Sequence, residues 1–313
     1  MTALKTKTVL VTGAGGFIGG HMVGELLKMG FRVSAADKKP LEDWFQLHTS
    51  AKNMSLDLST AGNCLTAVRG AEEVYHFAAD MGGIGFIERK RVECLLNILI
   101  DTHLFQAASA LGVKKLFYAS SACVYNTDLQ RNSDVTALKE SDALPALPEE
   151  GYGWEKLFAE QMLKHYGLER GLGIRIGRFH NVYGPHGTPD LEREKAPSAI
   201  CRKVADAVSR GKHEIQIWGD GEQTRSFTYI DDALEAVVRL MKSDVTEPVN
   251  VGSSELVSID ELVTIVEEIA GVRLERNYSP HSPKGVRGRN SDNSFIQERL
   301  GWQPSISLRA GLE

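Results

Sequence analysis

Two hydrophobic patterns alternate over the first 180 residues. Short apolar runs with few polar interruptions occur at 8–12 (TVLVT), 31–36 (FRVSAA), 74–79 (VYHFAA), 116–119 (LFYA) and 174–179. Runs of this kind predict strands buried on both faces of a parallel sheet. Between them, apolar residues recur at helical spacing over 17–29, 93–111 and roughly 153–168. Strands alternating with helices predict an α/β fold, a doubly wound parallel (Rossmann) sheet. After residue 179 the pattern changes. Residues 181–195 are rich in Gly, Pro and charge. Residues 196–209 predict a helix that tolerates Pro197 in its first turn. Residues 215–218 and 249–251 read as isolated strands. Residues 258–270 predict a helix with Ser258 as N-cap and Glu261 as its capping-box partner. This part reads as a smaller, mixed α/β cap.

Composition narrows the class. In 313 residues, apolar types make up 42%, charged types 25%, and the net charge is −5. That is ordinary globular usage, with no basic excess for nucleic acid or a membrane surface. Any site for an anionic ligand must be a local one. Cys64, Cys94, Cys123 and Cys201 form no C-x-x-C pair and have no zinc-like spacing to histidine, so they read as reduced thiols and no metal is expected. No run approaches the roughly 20 apolar residues of a membrane helix. Residues 1–7 do not open a signal peptide, and a soluble, cytoplasmic protein is expected.

The first turn carries a recognisable chemistry. Gly13, Gly16 and Gly19 follow the first strand and open a helix at Phe17 and Ile18. The G-x-x-G-x-x-G spacing permits a tight turn, close approach of backbone N–H groups to a pyrophosphate, and packing of helix on strand. Asp37, at the end of the second strand, can accept both ribose hydroxyls and would repel a 2′-phosphate, which favours NAD over NADP. Lys38 and Lys39 blur that preference slightly. Asp57 is placed to reach the adenine amino group or to cap a turn. Ala78, where a strand ends, allows backbone to lie against the cofactor.

Tyr152 and Lys156 form Y-x-x-x-K, one helical turn apart. A lysine there can hold a phenolate and lower a pKa ordinarily near ~10, making Tyr152 a usable base and acid for an alcohol proton. Ser121, at the end of a predicted strand, can hold the same alcohol. With these residues, and with Arg178-Phe179-His180-Asn181-Val182-Tyr183-Gly184-Pro185 downstream, the chain resembles the extended short-chain dehydrogenase/reductases, the nucleotide-sugar epimerases and dehydratases. The resemblance implies a Ser121–Tyr152–Lys156 triad, NAD as hydride carrier, and Asn181 on the sugar diphosphate.

Within that family, Cys123 and the blocks 81–86 (MGGIGF), 193–197 (REKAP), 218–227 (WGDGEQTRSF) and 285–293 (GVRGRNSDN) resemble the GDP-mannose 3,5-epimerases of the plant ascorbate pathway. This implies GDP-mannose as substrate, with C3 and C5 inverted through a transient 4-keto sugar to give GDP-L-galactose, and GDP-L-gulose if only C5 inverts. Carried over by position, Cys123 and Lys195 become the base and acid flanking the ring. Met81, Gly82 and Gly83 press against the sugar, and Glu194 and Gln223 also touch substrate. Lys203, Arg225 and Arg289 become phosphate and guanosine-side contacts. A homodimer pairing the helices at 93–111 and 153–168 is implied as well. The domain reading is then residues 1–179 as an NAD-binding domain with a return segment near 225–251, and 180–224 with 252–313 as the nucleotide-sugar cap. Two stretches depart from the plant pattern, Asn126-Thr127 and the loop 188–192, both bordering the sugar. A 4-epimerase or 4,6-dehydratase would share the triad. A non-catalytic NAD-sensing regulator could share the fold, and the intact Tyr152–Lys156 pair argues against it.

Overall fold

In the computed structural model, which describes residues 6–188, 190, 191 and 193–313, the apolar runs fold into β1 (Thr8–Thr12), β2 (Arg32–Asp37), β4 (Glu73–His76), β5 (Lys115–Ser121) and β6 (Gly173–Phe179), with β3 (Lys52–Ser55) beside β2. Val249–Val251 completes a seven-stranded sheet in the order Val249–Val251, β6, β5, β4, β1, β2, β3. All its pairings are parallel. The doubly wound α/β expectation is therefore met. The strand order reverses between β1 and β4, where open α/β sheets bind ligands beyond their carboxyl ends.

Alternation along each strand separates two cores. Val9 and Val11 face Met22, Leu26, Val237 and Leu240, from the helices Phe17–Lys28 and Ile230–Lys242. Leu10, between them, faces Val68, Leu104, Phe105 and Leu163 on the opposite layer. Each such side chain contributes about 1.5–3 kcal/mol on full burial. The strand at 249–251, expected to stand alone, instead pairs with β6. Ile230–Lys242, Lys52–Ser55 and the helix Ala61–Val68 were not predicted. The helix expected at 93–111 is broken at Leu96 into Arg91–Leu95 and Asn97–Ala110. Buried Asn97 accounts for the new start: its Oδ1 accepts from Asp80 N at 2.6 Å and its Nδ2 donates to Asp80 O at 3.1 Å, tying the helix to the chain just beyond β4.

The cap has its own core of Ile200, Val204, Ile217, Leu262, Val263 and Val266. Pro197 sits in the first turn of Ala196–Ser209. Ser258 and Glu261 close the capping box on Ile259–Ala270. Glu214–Trp218, also expected to be isolated, pairs in parallel with Glu275–Ser279. Ile296 and Trp302, in the stretch assigned to the cap, pack into the sheet-side core with Val237 and Val251. Among the described residues, no helix is long and apolar enough to cross a membrane.

Candidate active site

A cleft of about 880 Å³ opens at the carboxyl ends of β1, β2, β4 and β5, and every residue assigned to the cofactor lines it. Gly13 has φ 70°, and a Cβ there would lie 2.7 Å from the backbone of Phe77 and Ala78. A Cβ on Gly19 would strike the Gly13 carbonyl. The turn is thus closed on itself, and no side chain caps the helix that follows. Its first N–H groups are left for an anion. Asp37 Oδ2 accepts from Gly15 N and Oδ1 from Lys39 N, both at 3.0 Å. Each oxygen keeps a lone pair for a ribose hydroxyl. Lys39 donates to Gly15 O and Lys38 pairs with Asp80, so both flanking lysines are engaged. Asp57 accepts from Ser59 N at 2.9 Å while still lining the cleft. It is a turn acid that faces the cofactor site. This cradle fits a dinucleotide.

A second cavity, about 400 Å³, lies under the cap, and every residue assigned to substrate lines it. Met81, Gly82, Ser121, Tyr152, Phe179 and Lys195 line both cavities and form their common wall. Gly82 and Gly83 line the substrate cavity and also serve a second purpose. Their missing Cβ atoms make room for the backbone of Arg193 and Glu194, and Gly83 N donates to Arg193 O at 2.9 Å. This contact places Lys195 in the wall. Asp80 binds both Lys38 and Arg193 at 2.9 and 2.8 Å, bridging the rim of the cleft to the same loop.

Cys123 follows β5 in a short turn capped by Ser121, whose Oγ accepts from Cys123 N at 3.2 Å. Arg289 lines the substrate cavity and has protein partners of its own. Its Nη1 reaches Cys123 Sγ at 3.6 Å, its Nε donates to Gln130 Oε1 at 2.6 Å, and its Nη2 pairs with Glu149. Burial and the Glu149 charge push the Cys123 thiol up, with Arg289 opposing. Burial pushes the Lys195 ammonium down, with Arg289 adding to it. Burial thus favours the neutral thiol and the neutral amine, and it brings a proton donor and a proton acceptor into one chamber.

Lys156 lines the cofactor cleft and is held from behind. Its Nζ donates to Tyr118 OH at 3.0 Å and lies 5.6 Å from the Tyr152 ring centre. Tyr118 in turn donates to Asp101 Oδ2 at 2.7 Å, and Asp101 Oδ1 meets His76 Nε2 at 2.8 Å. The ammonium is drawn toward this buried acid, whose carboxyl is held low by Lys156 and His76 despite burial. Glu155, alongside, is pushed up to about 9 by burial and the Asp101 charge. Tyr152 is raised well above its ordinary value, chiefly by burial and then by the neighbouring Cys123 and Glu155.

The remaining cations are also engaged. Arg225 donates to the carbonyls of Thr224, Lys284, Val286 and Arg287, and so fixes the cap loop rather than presenting an open fork. Burial takes it down to about 10. Lys203 donates to Gln216 O at 2.8 Å, beside the Trp218 ring. Glu194 is held by Arg202 through both oxygens, at 2.6 and 2.9 Å. Asn181 donates to Ser226 O. Gln223 is buried with Oε1 unpartnered among the described residues. Asn126 shapes its turn by accepting from Asp128 N. Pro189 and Glu192 of the divergent loop lie outside the described residues. The sequence reading missed Glu149, Gln130, Tyr118 and Asp101. Glu149 sits in a Pro-Glu-Glu run that reads as a solvated turn, and only its distance from Tyr152 hinted otherwise.

Comparison with known proteins adds the following. The model of the NAD dependent epimerase/dehydratase family matches residues 9–252. GDP-mannose 3,5-epimerase 1 of Oryza sativa subsp. japonica is 46% identical over 97% of this chain and 79% of its own length. The GDP-mannose 3,5-epimerase of Arabidopsis thaliana is 45% identical over 97% and 80%. Among solved structures, UDP-glucose 4-epimerase of Thermus thermophilus in complex with NAD superposes with a TM-score of 0.84 at 25% identity, covering 97% of this chain and 96% of that one.

Proposed function

The chain belongs to the NAD dependent epimerase/dehydratase family, and from that premise we propose that it inverts C3 and C5 of GDP-mannose to give GDP-L-galactose, with GDP-L-gulose when C5 alone inverts. It is an NAD-dependent isomerase. The observation that carries the reading is Cys123 and Lys195 in one buried chamber, walled from the cofactor cleft by Ser121 and Tyr152.

With the positive charge that bound NAD would bring offsetting the burial that raises its phenol, Tyr152 takes the proton of the C4 hydroxyl, which Ser121 orients. NAD, which the Gly13–Gly19 turn and Asp37 would hold, would supply reversible hydride transfer at C4 and so would not be consumed. The 4-keto group makes the C3 and C5 hydrogens acidic, because each carbanion is delocalised as an enolate. Cys123 removes a proton from one face of the ring, and Lys195 delivers one from the other. The thiol then passes its proton back to the amine before the second inversion. Tyr152 finally returns its proton to the C4 oxygen. A 4,6-dehydratase would need a protonated acid in the chamber. Glu149 is held ionised by Arg289 and does not supply one.

Exposed Val92, Leu95, Leu96 and Leu99, together with Trp154 and Phe158 on the neighbouring helix, suit pairing with a second copy of the chain. A cytoplasmic homodimer is the assembly we infer. Incubation with GDP-mannose in deuterium oxide tests the reaction. Label is expected at C3 and C5 of recovered sugar nucleotide. Label at neither carbon sinks the proposal, and C4 inversion alone would make the protein a 4-epimerase.

A further inference from the structure

Glu149 occupies an unusual place for an acid. It lines the substrate chamber, its side chain is only 12% exposed, and its carboxylate pairs with the same guanidinium that reaches Cys123. Burial would raise this carboxyl, but Arg289 more than offsets that and holds it below the ordinary range.

The charged and titratable groups around Cys123 come from every element packed on it. Arg289 arrives from the strand Gly288–Arg289 and Arg225 from Thr224–Ser226. Lys195 comes from the N-terminus of Ala196–Ser209, Tyr152 from its helix, and Cys94 from Arg91–Leu95. Glu149 is the acid among these groups, and the three others that carry charge are cationic. Without Glu149, the cations would be opposed by burial alone, and the thiol would lose its proton more readily to a stabilised thiolate. A thiolate stabilised in that way is a weak base for a carbon-bound hydrogen. We propose that Glu149 is a positioning residue for Cys123: by neutralising and orienting Arg289, it sets how firmly the sulfur holds its proton and so how strong a base it is toward the sugar. This rests on the role given above to Cys123 as a proton-transfer group.

The local backbone makes the idea testable. Glu149 N donates to Cys123 O at 3.0 Å, a tether that does not involve the carboxylate. Glu149→Gln should therefore keep the turn and lose only the charge. The readout is the pH dependence of Cys123 alkylation by iodoacetamide, followed by peptide mass spectrometry on the protein as purified, with no sugar nucleotide present. The midpoint of the Gln variant should fall by about one pH unit or more, as expected for removing a charge at this range. That amounts to about tenfold more thiolate at pH values below both midpoints. Glu149→Asp should stay with the wild type. Arg289→Gln, which removes the opposing charge, should move the midpoint upward. A midpoint unchanged or raised in Glu149→Gln, or shifts of the same sign in Glu149→Gln and Arg289→Gln, overturns the inference. Should Glu149→Gln fail to fold, Arg289→Gln alone still decides it, since an unmoved or lowered midpoint contradicts the charge balance. Deuterium entry at C3 and C5 should show the same downward displacement of its pH profile in Glu149→Gln. Wild-type protein that takes up no label refutes the proposed reaction, while the alkylation result still decides the role of Glu149.

Discussion

In the dinucleotide cleft, the floor for the pyrophosphate comes from one short stretch, Gly13 to Gly19, with Asp37 one strand later and Asp57, Ala78, Tyr152 and Lys156 completing the lining. In the substrate chamber, Cys123, Glu149, Lys195, Arg225 and Arg289 come from separate segments spread over more than half the chain. The cleft is made of backbone. It works because side chains are missing, and its anion site is a bare helix start. The chamber is made of charge balanced locally, Arg289 against Glu149 in the interior and half-exposed Arg202 against Glu194. A backbone site tolerates little change in shape, whereas a charge-balanced site tolerates little change in protonation. The two are joined by a wall that belongs to both.

The sharpest way to separate them is Cys123→Ala. Deuterium entry at C3 and C5 should fall roughly a thousandfold, within the range for losing a positioned base. Oxidation at C4, seen as nicotinamide reduction on adding GDP-mannose, should persist. Loss of both activities would mean that the chamber and the cleft do not act independently. Gly13→Ala attacks the other side. With φ 70° and backbone at 2.7 Å from the added carbon, about 10- to 100-fold weaker NAD retention is expected, measured by mass spectrometry of the native protein. Retention at wild-type levels would show that the turn has slack.

A smaller effect concerns the buried network behind Lys156. Glu155 has its carboxyl pushed up to about 9, so it is neutral in the fold at pH 7 and ionised when unfolded. Its stabilising contribution is complete below the ordinary carboxylate range and is lost as pH rises toward about 9. Glu155→Gln removes that dependence, and thermal midpoints should decline less between pH 5 and 9 than those of the wild type. Parallel curves would place the charge elsewhere. The smallest effect is expected for Asp80→Asn. The Lys38–Asp80–Arg193 bridge is partly solvated, so stability should change by no more than about 1 kcal/mol, with NAD release only a few-fold faster. A larger change in release would make the bridge a true clasp.

How much of this was legible in the sequence follows the same division. Gly13, Gly16, Gly19 and Asp37 form a contiguous pattern whose geometry is fixed by adjacent backbone, and the structure places them as expected. The strand at 249–251 was legible, as was a return to the NAD-binding domain near it, but not its pairing with β6, because three residues carry no record of their neighbour. Ile230–Lys242 went unread although it buries one face against the sheet. The chamber residues were found through family resemblance, and their partners were not. Nothing near Arg289 in the chain announces Glu149, 140 positions earlier. Nothing near Lys156 announces that Tyr118 and Asp101 draw its ammonium away from Tyr152. Such long-range charge balance is a property of packing, and local pattern does not encode it.

The contact of Gly82 and Gly83 with the backbone of Arg193 and Glu194 has a consequence for inheritance. Two segments more than a hundred positions apart meet where neither has spare room. A substitution that adds a side chain to the first must be answered by a displaced path in the second, and that path carries Lys195. The pair should drift through descent as one unit. In lineages where the glycines are replaced, the neighbouring loop should be rewritten too, and with it the stereochemical repertoire of the enzyme.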